Sequence, residues 1–388
     1  MKILFLAPQP FFEVRGTPIN VKLMVTALSE LGHEVDLVVY PHGQDIDIPN
    51  VTVKRVMKIP GLGKAPIGPS KAKILYDFSM FIKVKWLLIT NKYDAIHGVE
   101  EMGVTAWLLS KFFRVPYVFD MDSHITDQLR YSGFFKDGFI LKTVERMETS
   151  AIKNASAVVT VCPYLTDIAK RYTDESKVHQ IEDIPQQFPP PPAGASADKL
   201  RGELNIPQSA PVILYTGNFE KYQGIDLLIE SIPEVVKSAP DAIFVIVGGD
   251  DTQAKTYSRI AENLGVARNV RFTGPRPLEW MPIFHEMADI LLSPRIEGTN
   301  TPLKIYTYLK TGKPLVATDL PTHTQLLNRD IAMLAKPEKL EYSSAILLLL
   351  KDTALRGKIG LAGKEFVERG YNYTIFKDKI ESVYKNLK

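Results

Sequence analysis

Cysteine is nearly missing from this sequence. Its one example, Cys162, has no partner for an internal disulfide and no neighbour at thiolate metal-site spacing. A reducing, cytoplasmic setting is therefore expected. An excess of one charge sign is missing too: 47 basic residues face 44 acidic ones, for a formal charge of +3. That balance argues against nucleic acid as a partner. No apolar run approaches the roughly 18 residues that would suggest a membrane span. The opening Ile3-Leu4-Phe5-Leu6 is broken by Pro8, Pro10, Glu13 and Arg15, so it reads as a buried strand rather than a secretion signal. Also absent are G-x-G-x-x-G after the first strand, G-x-x-x-x-G-K-[ST], G-x-S-x-G and H-E-x-x-H. Dinucleotide dehydrogenases, P-loop NTPases, serine hydrolases and zinc proteases lose ground accordingly.

What is present is alternation. Short apolar runs at 2–7, 34–39, 95–97, 117–120 and 157–161 alternate with helical patterns at 17–31, 72–89, 102–113 and 139–154. The scheme recurs with strands at 212–216, 242–247, 270–273, 290–292 and 315–318, and helices at 224–236, 252–264, 278–287 and 303–310. Such alternation predicts α/β architecture with parallel sheets covered on both faces. At 388 residues the chain exceeds what one core serves. Two Rossmann-like, doubly wound domains are expected, 1–188 and 201–372, facing each other across a cleft. Residues 189–200, opening with four prolines, form the linker. A last helix, 373–388, is expected to return to the first domain through Phe376, Ile380, Val383 and Leu387.

Open parallel sheets place their ligands beyond the carboxyl ends of the strands, and three loops there carry suggestive chemistry. Arg15-Gly16-Thr17-Pro18 opens a helix whose free N–H groups suit an anion. The run from Tyr215 to Gly224 contains Gly217, Asn218, Lys221 and Gln223; Lys221 reads equally as a phosphate ligand or a solvated lysine. The richest loop is Ser293-Pro294-Arg295-Ile296-Glu297-Gly298-Thr299-Asn300-Thr301-Pro302-Leu303-Lys304. Thr301 or Asn300 is expected to cap the next helix, with Pro302 in its first turn and Arg295 and Lys304 adding charge toward a diphosphate.

These loops, with Gly32-His33-Glu34-Val35, Val247-Gly248-Gly249, Val270-Arg271-Phe272-Thr273-Gly274 and Gly312-Lys313-Pro314, resemble the retaining glycosyltransferases of family 4, with the two-domain GT-B fold. The resemblance spans nearly the whole chain. It implies a nucleotide-sugar donor, no cofactor, no metal and no covalent nucleophile. Gly249 and Gly274 would receive the nucleoside. Gly16, Thr17, Gly217 and the Thr299-Asn300-Thr301 segment would receive the diphosphate, and Glu297 the sugar. The family's phosphate-binding arginine and lysine fall at Asn218 and Gln223, and its second glutamate at Thr307, leaving Arg295, Lys304 and Lys221 as the nearby cations. The family's first-domain histidine falls at His97, or in the other register at Val99. Asp122 would act in catalysis, with Glu100, Ser123 and His124 on the acceptor side. The Asp120-Met121-Asp122 triplet is read as part of that side rather than as a manganese motif. The rivals are a sugar-nucleotide epimerase of the same architecture and an inactive nucleotide-sugar-binding module.

Residues 54–85 hold Lys54, Arg55, Lys58, Lys64, Lys71, Lys73, Lys83 and Lys85 against one acid, Asp77, with Phe78, Phe81 and Trp86 nearby. Two readings stand: an anionic membrane surface bound by a peripheral enzyme on the inner face of the cell membrane, with a glycan or lipid-linked acceptor, or a core helix with a solvated basic face.

Overall fold

The computed structural model describes residues 1–13, 16–66, 68, 70–132, 138–385 and 387. The chain divides into unit 1, Met1–Glu182 with Tyr373–Lys388, and unit 2, Asp183–Asn372.

Unit 1 is built on β1 (Lys2–Ala7), β2 (Glu34–Val39), β3 (Val51–Arg55), β4 (Ala95–Val99), β5 (Tyr117–Met121), β6 (Ala157–Thr160) and β7 (Val178–Gln180). All are parallel, in the order β3-β2-β1-β4-β5-β6-β7. Unit 2 repeats the plan with β8 (Val212–Thr216), β9 (Ile243–Val247), β10 (Val270–Gly274), β11 (Ile290–Ser293), β12 (Leu315–Thr318) and β13 (Met333–Ala335), ordered β10-β9-β8-β11-β12-β13. Helices bury the central strands on both faces, so β1, β4, β5, β9 and β11 are runs of buried apolar residues. In each sheet the winding reverses at one pair, β1–β4 or β8–β11. An open α/β sheet forms its ligand crevice beyond the carboxyl ends of such a pair.

The α/β, doubly wound class is as expected for both units. The boundary differs: unit 2 begins at Asp183, so the proline segment belongs to it. The physical reason is anchoring. The Gln186 amide donates to Thr307 Oγ1 at 3.0 Å, and Phe188 packs on the second core with its ring 5.7 Å from that of His285. Edge strands β3 and β7 escape an apolar-run criterion because they are only partly buried. The expected 278–287 helix is a short turn followed by Met281–Met287, with Pro282 in its first turn.

Two helices matter below. α1 (Gly16–Glu30) follows β1, and α2 (Lys71–Thr90) is capped by Ser70, whose Oγ accepts the Lys73 amide at 3.1 Å. The Tyr373–Lys385 helix packs on α1 within unit 1.

Candidate active site

At the β8–β11 end of unit 2, two glycines let the loops meet. A Cβ on Gly224 (φ +73°) would lie 2.0 Å from the Pro294 carbonyl oxygen, and one on Gly298 (φ +114°) 2.3 Å from the Arg295 guanidinium. Between these loops sit Arg295 and Lys304. Lys304 Nζ donates to Gln223 Oε1 at 3.2 Å and lies 4.0 Å from the centre of the Tyr215 ring. Arg295 Nε donates to the Glu297 carbonyl at 2.8 Å, and its guanidinium lies 5.0 Å from the Tyr222 ring centre. Burial pulls both cations below their ordinary pKa, Lys304 far below, with Arg295 adding repulsion. Among the described residues no carboxylate pairs with either. Two desolvated like charges without a counter-ion are costly, and an incoming anion relieves that cost.

The loop behind them is braced by His323. Its Nε2 is 2.8 Å from Ser293 Oγ and its Nδ1 is 2.9 Å from Thr318 Oγ1, while burial pushes its pKa down to about 3. Thr299 donates to Asn300 Oδ1 at 3.1 Å, and the Asn300 carbonyl accepts from Thr322 Oγ1 at 2.7 Å. Glu297 is exposed at the loop's tip.

Several sequence expectations change. The helix begins at Lys304 with Leu303 at its N-cap and no side-chain cap, so neither Thr301 nor Asn300 caps it and Pro302 precedes it. At seven residues this helix offers little terminus to an anion. Thr301 is buried with its hydroxyl unpartnered. Thr307, placed by counting as a donor ligand, instead anchors the Gln186 backbone. Lys221 is exposed, and Asn218 is turned into its own loop: its Oδ1 accepts the Glu220 amide at 3.2 Å and its carbonyl accepts from the Tyr215 hydroxyl at 2.8 Å. Gly217, Gly249 and Gly274 all lie at strand ends facing these loops; the Gly248 amide, beside Gly249, donates to the Gly274 carbonyl at 2.9 Å.

In unit 1, His97 is fully buried. Its Nδ1 lies 2.7 Å from Tyr384 Oη of the last helix, its Nε2 lies 3.0 Å from Asp120 Oδ2, and its ring stacks 4.1 Å from that of Phe5. It is a locking residue with no face open to substrate, and Val99 is likewise a buried strand residue. Asp120 and Asp122 point to different partners. Asp122 accepts from Asn20 Nδ2 at 3.2 Å, and Ser123 Oγ donates to Glu100 at 3.2 Å. His124 lies 2.9 Å from Asp127 and 3.3 Å from Glu148, which also accepts the Ile125 and Thr126 amides, so it serves the turn into the next helix. Gly16 and Thr17 open α1; Arg15 lies outside the described residues.

Sequence reasoning missed Lys73, which lies 2.8 Å from Glu101 and 3.7 Å from Glu100. Hidden in a basic run, it is the counter-ion of an acidic group. Burial alone would lower its pKa, but Glu101, Glu100 and Asp77 raise it overall. Asp77, beside the Tyr40 hydroxyl, and Glu101 are both shifted upward, chiefly by burial. The i, i+4 spacing of Lys73 and Asp77 was the only available signal.

The basic run dissolves likewise. Lys54 pairs with Asp36 at 3.3 Å, Lys64 with Glu13 at 2.6 Å and Arg55 with Asp45 at 2.7 Å, and Lys83 donates to the Arg55 carbonyl at 3.2 Å. On α2, Tyr76, Met80, Val84 and Leu87 face the core, while Ile74, Phe78, Ile82, Trp86 and Ile89 stand exposed. Lys71 and Lys85 are exposed among the latter. Among the described residues, no helix is long and apolar enough to cross a membrane.

Residues 196–366 match the family described as Glycosyl transferases group 1, and residues 14–182 match Glycosyltransferase Family 4. The phosphatidyl-myo-inositol mannosyltransferase of Mycobacterium leprae is 23% identical over 100% of this chain and 97% of its own. The D-inositol 3-phosphate glycosyltransferase of Corynebacterium diphtheriae is 24% identical over 76% and 70%. Among solved structures, sucrose-phosphate synthase from Thermosynechococcus elongatus superposes with a TM-score of 0.79 at 19% identity, covering 100% of this chain and 98% of that one. Anabaena HepE in complex with UDP-glucose gives 0.74 at 18%, covering 99% of each chain.

Proposed function

Because the chain belongs to the family 4 glycosyltransferases, with a group 1 glycosyltransferase domain in its second unit, we propose that it transfers a sugar from a nucleoside-diphosphate donor, held by unit 2, to an acceptor hydroxyl, with retention of configuration. The observation that carries this reading is the pair of half-buried cations, Arg295 and Lys304, both lowered in pKa by desolvation and without a carboxylate partner among the described residues. A departing diphosphate is the anion such a pair suits, and stabilising it in place lowers the barrier to breaking the bond between the sugar's anomeric carbon and the phosphate oxygen. The acceptor oxygen then bonds that carbon on the same face, and its proton passes to the leaving phosphate oxygen. Glu297 accepts hydrogen bonds from the donor's hydroxyls. With two protein cations neutralising the leaving group, no metal is assigned a part. The HepE structure with UDP-glucose and the names of the inositol-directed relatives support a nucleotide sugar and a glycan or lipid-linked acceptor of cell-envelope type.

The outward face of α2 supports peripheral attachment to an anionic membrane. Six exposed apolar side chains, Leu75 among them, with Lys71 and Lys85 beside them, suit insertion at the headgroup boundary more than electrostatic adhesion alone.

The test is a melting-temperature screen of UDP-, GDP- and ADP-sugars, followed by product NMR. One nucleotide should stabilise the protein, the stabilisation should vanish in Lys304→Ala, and the product should keep the donor's anomeric configuration. A nucleotide sugar altered at C2, with no acceptor required, would establish the epimerase instead. Nucleotide binding with neither transfer nor hydrolysis would leave a binding module. Co-sedimentation with phosphatidylglycerol vesicles, lost in Phe78→Ser/Trp86→Ser, tests the attachment.

A further inference from the structure

The crevice of an open α/β sheet lies outside the carboxyl ends of the strands where the winding reverses, which in unit 1 are β1 and β4. Glu100 and Glu101 directly follow β4. Glu100 takes up a left-handed backbone (φ +50°), its amide held by the Asp120 carbonyl at 2.9 Å. Its carboxylate accepts from Ser123 Oγ, and Glu101 pairs with Lys73. Glu100 and Glu101 both pair with Lys73, at 3.7 and 2.8 Å, and Asp77 lies beside the Tyr40 hydroxyl. Among the described residues, these three carboxylates outnumber the one lysine they gather around.

Two neutral amides at the same end are independent signs of a ligand. Asn20, 7% exposed, turns its Nδ2 onto Asp122, the residue before Ser123, and leaves its Oδ1 unpartnered. Gln9 stands two residues beyond β1, and its carbonyl accepts the Tyr40 amide at 3.2 Å. It is 5% exposed and its Nε2 is unpartnered. Buried amide groups left open cost free energy unless something arrives to fill them. Carboxylates that only accept, next to an amide oxygen and an amide N–H, match a ring of hydroxyls.

We infer that this crevice holds the acceptor through an uncharged, hydroxyl-rich ring, and that it rejects the same ring when a phosphate is attached there. The inference rests on the transferase reading, since it assigns the acceptor to unit 1. The hydroxyls donate to Glu100 and to Asn20 Oδ1. A phosphate would meet the Glu100 carboxylate, with Lys73 shared between Glu100 at 3.7 Å and Glu101 at 2.8 Å, and such like-charge contact is the repulsive element by which a site discriminates.

The experiment uses the full chain with methyl α-D-mannopyranoside, methyl α-D-glucopyranoside and myo-inositol, each beside its monophosphate. Binding is read by saturation-transfer NMR and titration calorimetry with nucleoside diphosphate in excess, to occupy the cations of unit 2. At least one neutral probe should bind, and its phosphate should bind about tenfold more weakly or worse. Glu100→Gln should weaken the neutral probe and narrow that gap, with Glu101→Gln as the second variant and melting curves to confirm folding. Phosphates binding as tightly as their parents, no neutral probe binding, or a gap unmoved by Glu100→Gln would each overturn the inference. Nucleotide binding is scored separately. Its loss with the gap intact would sink the donor reading alone, and its survival with no gap would sink this one alone.

Discussion

Unit 1 and unit 2 wind their sheets in the same way, outward from one central pair of strands, yet they treat charge at the end of that pair in opposite fashion. Beyond β8 and β11, Arg295 and Lys304 sit half-buried among Gln223 and two tyrosine rings, and their pKa values fall. Beyond β4, Glu100 and Glu101 gather around Lys73 and the charge is balanced internally, the lysine shifting up under its carboxylates and Asp77 and Glu101 shifting up chiefly through burial. The fold decides where a crevice lies; a handful of side chains decide its sign. One crevice waits for its counter-charge, and the other carries its own.

The comparison breaks most visibly if the cations of unit 2 prove structural. Arg295→Met/Lys304→Met should lower kcat/KM by roughly 10²–10⁴-fold, at about 1.5–3 kcal/mol per charged hydrogen bond. The ligand-free protein should melt higher, because two unpaired buried charges are gone. A fall in melting temperature together with activity would mean the pair holds the fold. Next in size, Lys73→Met should destabilise unit 1 by about 2–4 kcal/mol by stranding its carboxylates. Denaturant unfolding should show the loss, while calorimetry shows nucleotide affinity unchanged. Glu297→Ala should cut turnover roughly tenfold to a hundredfold with nucleotide affinity preserved, as expected of a group that meets the sugar and not the phosphates.

Acid should separate the units further. His285 and His323 are lowered by burial to about 4 and about 3, so between there and their ordinary 6.5 the unfolded chain binds more protons and unit 2 loses stability as pH falls. Asp77 and Glu101 have raised values, so over the range above their ordinary values the folded state binds more protons and unit 1 gains as pH falls. The half-buried His33 and His179, lowered by burial, offset part of that gain. With Trp86→Phe and Trp107→Phe leaving Trp280 as the reporter, unit 2 should unfold first between pH 6 and 4, the window these values define. A Trp280→Phe variant that keeps Trp86 and Trp107 reports unit 1, and loss of its signal at a higher pH than that of Trp280 would reverse the assignment. The smallest effect is expected at Thr301→Val. Removing its unpartnered buried hydroxyl should be neutral or stabilising by under about 1 kcal/mol in a melting curve.

Strands β8 and β12 were legible residue by residue because burial on both faces leaves an almost unbroken apolar run, and β1 and β2 because such a run dominates each. Arg295 and Lys304 were legible as cations in one strand-end loop. Gln223 looked like a cation lost from that loop, because a sequence does not show that its amide oxygen accepts from Lys304, 81 residues away. His97 was expected to be catalytic because the family's first-domain histidine falls there; what seals it is Tyr384, 287 positions later. Lys73 vanished into a run of lysines, since local charge counting cannot see carboxylates delivered by another strand. Thr307 was placed by counting from Gly312, and its hydroxyl turned out to serve the chain entering unit 2.

The contact between His97 and Tyr384 also sets an order of events during synthesis. Unit 2 is an insertion: its whole length, Asp183–Asn372, is translated before the segment that finishes unit 1 leaves the ribosome. At 5–20 residues per second that interval is roughly 10–40 s. Throughout it β4 holds a buried-type histidine whose hydroxyl partner does not yet exist, and α1 lacks the helix that packs on it. Unit 2 can therefore be complete while the half made first is still open along that seam. A nascent chain of this protein would expose its vulnerable surface at its beginning and not at its growing end.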